Sequence, residues 1–493
     1  MLRTGKEFLE SLRDGRKVYV GGELVTDVTS HPAFRNAAQS FAMLYDRKAA
    51  PENRDVMSFE EDGERFSAYY LMPKTKDDLR RRMETHRRIA SWTYGLLGRS
   101  PDHVASFVTG LAMRPDLFEG IRPGFGSNMV AYYRYMRAND ICATYTVLPP
   151  QGARKPELYE REGMRVPTLR VIAEDDDGVV LDGMKMLGTS AVFANETWVG
   201  NLLPLAPNQV KESITCAVPL GTPGVTMWSR KPFERYALSE YDNPLTYRFD
   251  ETDSMVIFDH VKVPWEKVFV HDNADMSREI YVRSPAHSMG NHQSNVRFWE
   301  KLKLIVAIAK RVADMNGIVH IPQVQQTLAK LAAAEALLSG AIYGCIENAE
   351  SMVPGYLNIN RRHMYAALLW TTTQYNDLCD TVRELMGGGP FQMPADISVI
   401  KDPAMARTFE DYWSVPGQSA VERMKVLKLG WDLLGSEFAG RHSQYEKFYA
   451  GPSFIVTNYS WLLGPWAALD EMVDGLLASY DVPAEYKGKA AAE

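Results

Sequence analysis

The hydrophobic period of this chain changes twice, and that change limits its fold more than any motif does. Residues 1–140 carry helical signals. TGKEFLESL opens with Thr4 at a cap position and Glu7 three places on, the pattern of a capping box. KTKDDLRRRMETHRRIASWTYGLLG reads as one long helix ending at Gly98, and a loop, LPPQGARKPE, starts at Leu148. The period then shortens to two. TLRVIAEDDDGVVLDGMKML holds two apolar-rich runs around Asp-Asp-Asp-Gly, a hairpin signal. ESITCAVPL, GVTMWSR and DSMVIFDHVKVPW continue the strand character. From about residue 292 the period is helical again. Phe298, Leu302, Ile305, Ala309 and Val312 share one face, and Val324, Leu328, Leu331 and Leu338 share another. Further helical runs lie near 357–387, 418–440 and 466–480, and the KGKAAAE tail is expected to fray.

Helices, then strands, then helices exclude a doubly wound α/β sheet, which needs alternation. We expect a mainly α chain with a middle β domain. Its parts are a helical N-terminal domain over residues 1–141, a β domain over 142–272 and a C-terminal helical bundle over 273–493.

Composition excludes several functions. The net charge is −7 and no basic stripe stands out, which argues against a nucleic-acid partner. Cys142, Cys216, Cys345 and Cys379 are far apart and form no CxxC pair. A disulfide scaffold or zinc ribbon is therefore not expected, and a reducing, cytoplasmic location is. The N-terminus, MLRTGKEFLESLRDGR, carries charges where a secretory signal needs an apolar run. No stretch of about 18 uninterrupted apolar residues occurs, so no membrane span is expected.

Cofactor motifs are also missing. GFGSN at Gly124 and GGGPF at Gly387 do not complete GxGxxG and follow no good strand. A P-loop and a GxSxG elbow are absent. Redox chemistry here would need reducing equivalents delivered from elsewhere. His287, His292 and His442 show no metal-ligand spacing, so no metal site is expected. GTSA at Gly188 reads as a turn in which Thr189 and nearby backbone N–H groups can meet a polar ring.

One stretch stands apart. In GRSPDHVASF, Arg99 and His103 flank a Ser-Pro-Asp break between apolar helical runs. A guanidinium in such surroundings is costly unless it meets an anion. Its fork of donors suits a carboxylate or a phenolate, and His103 is a candidate proton acceptor. The plainer reading is a surface arginine and a capping histidine.

LESLRDGRKVYVGGELVTDVTSHPAFRNAAQSFAMLYD and TYGLLGRSPD resemble the oxygenase-component family of 4-hydroxyphenylacetate 3-monooxygenases. So do YDNPLTYRFDETDSMVIFDHVKVPWEKVFV and MKVLKLGWDLLGSEFAGRHSQYEKFYAG, and the similarity runs from about residue 4 to residue 482. The resemblance implies an acyl-CoA dehydrogenase-like fold: a helical N-terminal domain, a small β-barrel and a C-terminal four-helix bundle, usually in homotetramers. It implies reduced FAD (FADH2) supplied by a separate flavin reductase, without need of a stable complex. With O2 as co-substrate, a flavin C4a-hydroperoxide would hydroxylate a phenol or other aromatic ring, and Arg99 favours an acidic substrate.

The resemblance also assigns residues. Arg99 keeps a substrate-facing place, but His103 stands where the family has Tyr, and Tyr145 where it has His. The two look exchanged, and would meet one substrate oxygen from opposite walls. Tyr145, Thr146, Val147 and Leu148, with Gln151, Gly152, Ala153 and Arg154, match segments flanking the flavin ring, and Thr189 matches a threonine that reaches it. The C-terminal flavin loop falls on Tyr449, Ala450, Gly451, Pro452 and Ser453, although the family's Asp is missing there. Two alternative readings stand beside this one. One is a 4-hydroxybutyryl-CoA dehydratase-like enzyme, which needs a cluster-binding cysteine set; the other is a non-catalytic helical-bundle assembly protein.

Overall fold

The computed structural model describes residues 2–153 and 155–486; Arg154 and the KGKAAAE tail lie outside them. Helix α1 (Gly5–Ser11) has the expected capping box, with Thr4 and Glu7 satisfying each other's backbone N–H. A short hairpin, β1 (Lys17–Val20) and β2 (Glu23–Val25), precedes α2 (Arg35–Ala49). Helix α3 (Lys76–Trp92) opens on a second capping box, Thr75 with Asp78. It stops at Trp92 rather than at Gly98. Tyr94 and Gly95 take φ values of 52° and 67°, a left-handed turn that no α-helix continues through. Helices α4 (Asp102–Ala112) and α5 (Phe125–Ala138) complete this part.

The strands follow: β3 (Ala143–Thr146), β4 (Arg170–Asp175), β5 (Gly178–Thr189), β6 (Glu196–Val199), β7 (Ile214–Pro219), β8 (Val225–Ser229), β9 (Asp253–Pro264) and β10 (Val268–His271). The hairpin read at Asp-Asp-Asp-Gly is β4–β5, with Asp175 paired to Gly178. The small barrel implied by the resemblance is not closed. The strands form two open sheets, one ordered β2–β1–β8–β9–β5–β4 and the other β10–β7–β6–β3. The N-terminal β1 adds in parallel to β8 and extends the larger sheet. Val256, Phe258 and Val261 of β9 share one apolar core with Cys216 and Val218 of β7, so the sheets bury faces against each other, and they meet at an edge only where Leu148 after β3 bridges Met186 of β5.

The C-terminal part contains α6 (Ala286–Met315), α7 (Pro322–Glu347), α8 (Arg361–Met386), α9 (Ala420–Leu434), α10 (Glu437–Phe448), α11 (Ser453–Leu462) and α12 (Trp466–Ala478). The run expected as one helix near 418–440 is two. It breaks at Gly435, and Ser436 restarts it by accepting the Ala439 N–H. Helix α7 is long and apolar enough to cross a membrane, which the test of uninterrupted apolar residues did not reveal. It packs along α6 and α8 and buries Leu331, Leu338 and Ile342.

Helix α6 also packs on α3 and α4, so it is enclosed on most sides. Its apolar positions Phe298, Leu302 and Ile305 are buried as expected, but so is a polar N-terminal half with His292, Gln293, Asn295, Arg297 and Lys301. Buried polar groups must find partners inside the protein. Many of those partners lie around Arg99.

Candidate active site

The turn after α3 aims Arg99. A Cβ on Gly98 would fall 1.9 Å from Tyr445 Oη, so the backbone comes as close to α10 as a glycine allows. Glu251 Oε2 then accepts the N–H groups of Gly98 at 2.8 Å and Arg99 at 3.1 Å. Pro101 sits at the N-cap of α4, and its fixed φ starts the helix that carries His103.

Arg99 is 7% exposed and His103 1% exposed, so the surface reading of this pair fails. Arg99 Nη1 lies 3.0 Å from His103 Nε2, and Nη2 donates to Tyr145 Oη at 2.9 Å. The guanidinium carbon stands 4.2 Å from the Tyr449 ring centroid and 4.8 Å from that of Tyr145, within cation–π range. Burial opposes the Arg99 charge, but Tyr145, Tyr445, Tyr449 and Glu251 outweigh it and raise its pKa. Burial, reinforced by the charge of Arg99, drives the His103 pKa well below its ordinary value, so the ring is neutral. Its Nδ1 is buried and has no hydrogen-bond partner. His103 and Tyr145 do not face each other from opposite walls. Their rings stack, 5.3 Å apart at 21°, with Phe107 beside both, because β3 and α4 bring them to the same side.

A second group of charges ties this turn to Thr189. Arg441 donates to Glu251 and to both Asp253 carboxylate oxygens, each bond between 2.8 and 3.0 Å. Thr189 Oγ1 donates to Asp253 Oδ1 at 2.6 Å, and Ser190 donates to Glu251. Burial works against the Asp253 charge, yet Arg441 and Arg230 hold its pKa below the usual range. Thr189 thus keeps its oxygen lone pairs but not its proton for a ligand.

A third group lies behind Tyr449. Arg297 forms a two-pronged pair with Glu446 at 2.8 and 2.6 Å, and Lys301 donates to Glu446 at 2.8 Å and to His442 Nδ1 at 2.9 Å. All four side chains are buried. Burial, against the attraction of Glu446 and with the nearby charge of Arg297, lowers the Lys301 pKa to about 8. Removing one member of such a cluster costs about 3–5 kcal/mol, because a buried charge is left unmatched.

The structure therefore brings Arg99, His103, Tyr145 and Tyr449 together and links Thr189 to them through Glu251, Arg441 and Asp253. Thr146 Oγ1 meets Thr197, and Leu148 bridges Met186. Gln151 and Gly152 are exposed on a turn, and Ala153 accepts a bond from Thr168. Ala450 and Pro452 continue from Tyr449 across Gly451, and Ser453 begins α11. Arg154 is outside the described residues. Sequence reasoning missed Glu251, Arg441, Tyr445 and Glu446. The available signal was the four-residue spacing Arg441–Tyr445–Tyr449 with His442–Glu446, two stripes down one helix.

Comparison with known proteins gives one answer. Residues 4–270 match the family model "4-hydroxyphenylacetate 3-hydroxylase N terminal", and residues 277–478 match "4-hydroxyphenylacetate 3-hydroxylase C terminal". The pyoverdin chromophore biosynthetic protein PvcC of Pseudomonas aeruginosa is 30% identical, over 99% of this chain and 97% of that protein. The 4-hydroxyphenylacetate 3-monooxygenase oxygenase component of a Geobacillus species is 29% identical, over 91% of each. The crystal structure of the oxygenase component of a 4-hydroxyphenylacetate 3-monooxygenase complexed with FAD superposes with a TM-score of 0.90 at 28% identity, covering 97% of this chain and 98% of that one.

Proposed function

This chain belongs to the 4-hydroxyphenylacetate 3-hydroxylase family, and from that premise we propose that it is the oxygenase component of a two-component monooxygenase that uses reduced FAD and O2 to hydroxylate a phenolic or other aromatic substrate. The observation that carries the reading is the buried Arg99–His103–Tyr145 cluster, whose guanidinium meets His103 and Tyr145 and forms no ion pair with a carboxylate among the described residues.

The residues fit a flavin. Strand β3 is the edge of its sheet, so one side of its backbone lacks a strand partner and offers N–H and C=O groups to a flat heterocycle. Thr189 Oγ1, committed as a donor to Asp253, offers lone pairs to a ring N–H. On this reading Tyr145 to Leu148, Gln151 to Arg154, Thr189 and the segment Tyr449 to Ser453 hold the cofactor. Bound reduced FAD supplies, with O2, the electrophilic oxygen atom and the electrons that take the second oxygen atom to water.

The protein's part is binding, orientation and exclusion of water. Arg99 fixes the substrate oxygen and stabilises its negative charge, which raises electron density at the neighbouring ring carbon. His103, Tyr145 and Phe107 form a wall against the ring. Burial of the cluster keeps water from diverting the activated oxygen to hydrogen peroxide.

The same reading divides the chain at 1–141, 142–272 and 273–493 in the manner of acyl-CoA dehydrogenases, although β1 joins the strands of the middle part. It includes a separate flavin reductase, in keeping with the incomplete dinucleotide motifs, and a cytoplasmic site in keeping with four free, buried cysteines. It also includes a homotetramer. Leu337 on α7 and Met472 and Leu476 on α12 are apolar and more than half exposed in the single chain. The dehydratase alternative is disfavoured because the four buried cysteines are dispersed: Cys142 lies just before β3, Cys216 in β7, Cys345 in α7 and Cys379 in α8. The test is an assay with a generic flavin reductase, NADH, FAD and a panel of aromatic acids and phenols. Oxygenated product is expected from at least one compound; peroxide alone from every compound would overturn the reading.

A further inference from the structure

We propose that Tyr449 is the positioning residue for Arg99, holding it at root and tip, and that its side chain serves this arginine rather than the flavin. This rests on the monooxygenase reading above and refines it.

Tyr449 follows the last residue of α10 and keeps a helical backbone, with φ −52° and ψ −44°. Its side chain therefore continues the stripe of Tyr445, four positions earlier. The chain turns away by Gly451, whose φ of 93° lies in the left-handed region. Tyr449 thus belongs to the helix by its geometry, and the turn after it is a separate feature. From the helix end it meets Arg99 in three places. Its hydroxyl donates to Gly98 O at 3.1 Å, in the peptide unit from which Arg99 springs. Glu251 accepts the N–H of Gly98, so both polar groups of that glycine are gripped. The Tyr449 ring centroid lies 4.2 Å from the Arg99 guanidinium carbon. The Tyr449 carbonyl oxygen lies 3.4 Å from Arg99 Nη2, a weaker contact. The hydroxyl fixes where the arginine side chain starts; the ring and the carbonyl fix where it ends.

The ring has little freedom of its own. Tyr445 packs against it at 5.2 Å and 85°, His103 at 6.1 Å and 82°, and the Arg297 guanidinium carbon stands 4.8 Å from its centroid. Glu446 matches the Arg297 charge through two hydrogen bonds, whereas Arg99 forms no ion pair among the described residues. An aromatic face lets a buried guanidinium rest in place without surrendering its charge to a carboxylate, so the charge stays available to a substrate. The Tyr449 hydroxyl hydrogen points to Gly98 O and, at 3.5 Å, to Gln293 Oε1. Ring and hydroxyl hydrogen are therefore both engaged already, and the contacts to flavin fall to the residues after Tyr449.

The test measures substrate and flavin affinity separately, by calorimetric titration with FAD, with 4-hydroxyphenylacetate and with 4-nitrophenolate. Tyr449→Leu removes the aromatic face and the hydroxyl; Tyr449→Phe keeps the face. Tyr449→Leu should weaken binding of the aromatic anion about tenfold and leave FAD affinity within about twofold of wild type. Tyr449→Phe should lose no more than about threefold for the anion. Unchanged anion binding in Tyr449→Leu, a parallel loss of FAD affinity, or a loss in Tyr449→Phe as large as in Tyr449→Leu overturns the proposal. A double variant separates positioning from general damage to the fold. If Tyr449 acts through Arg99, adding Tyr449→Leu to Arg99→Ala should change anion affinity by less than about twofold; a further tenfold loss there overturns the proposal as well. Each of these outcomes sinks this inference alone. A wild type that binds neither aromatic anion removes the substrate role of Arg99 and sinks the underlying reading with it.

Discussion

Glu251 holds the backbone of Arg99, accepting its N–H at 3.1 Å and that of Gly98 at 2.8 Å through one carboxylate oxygen. The other oxygen takes Arg441, which also grips Asp253 and so reaches Thr189. Arg99, proposed to face substrate, and Thr189, proposed to face flavin, thus hang on one buried carboxylate. Glu251→Gln preserves shape but turns one acceptor into a donor facing Arg441. We expect a loss of about 1–3 kcal/mol in stability, and a severalfold fall in product per NADH with peroxide making up the difference. Equal coupling in variant and wild type would show that Glu251 does not set the aim of Arg99.

Arg99→Ala removes the charge proposed to anchor the substrate. Charge-assisted hydrogen bonds contribute about 1.5–3 kcal/mol, so substrate affinity should fall on the order of 10- to 100-fold. The change also frees His103 Nε2, now without a cation beside it. Uncoupled peroxide should rise and product fall, read by quantifying both against NADH consumed. Wild-type coupling in this variant would remove Arg99 from the substrate site.

How far these features were legible depended on how local they were. Arg99, His103 and Pro101 share one short string, and their conflict with apolar surroundings is visible in it. The order of helices, strands and helices follows from period alone. Glu251 was not legible, because its meaning lies in Arg99, 152 positions away, and in Arg441, 190 positions on. Arg441, Tyr445 and Glu446 gain their meaning only when the fold buries Glu446 and leaves the Arg441 side chain 8% exposed against Glu251. The open sheets failed for the same reason: β1 pairs with β8 across some two hundred residues, and no local pattern announces that register. The end of α3 was missed because Tyr94 takes a left-handed φ, which few bulky residues adopt.

The Arg297–Glu446–Lys301 cluster should govern acid stability. Burial would raise the Glu446 pKa, but Arg297 and Lys301 prevail and lower it from 4.5 to about 2. A carboxylate depressed in the folded state contributes stability that is complete above its unfolded value and lost as pH falls through the folded one. The window is therefore pH 4.5 down to about 2, and the contribution is on the order of 3 kcal/mol. Denaturant titrations of wild type should lose stability across this window, whereas Glu446→Gln should start less stable and change less. Parallel curves would mean that the pair carries no such linkage.

The wall beside the proposed substrate is set by a glycine on another helix. A Cβ on Gly290 of α6 would lie 2.0 Å from Phe107 Cε2 and 2.3 Å from its Cδ2, far inside contact distance. Phe107 stands 5.2 Å from His103 and 5.6 Å from Tyr145, ring to ring, so a displaced Phe107 must move against them or into the space they border. Gly290→Ala gains about 1 kcal/mol of helix propensity, while overpacking costs about 1–3 kcal/mol. Global stability should consequently fall little, yet KM should rise severalfold and peroxide increase, because the strain falls on the site itself. Phe107→Leu combined with Gly290→Ala gives the methyl group room and should recover part of the lost coupling. If the single variant keeps wild-type KM and coupling, Phe107 does not shape this site; if the double variant recovers nothing, the damage runs through the helix crossing instead.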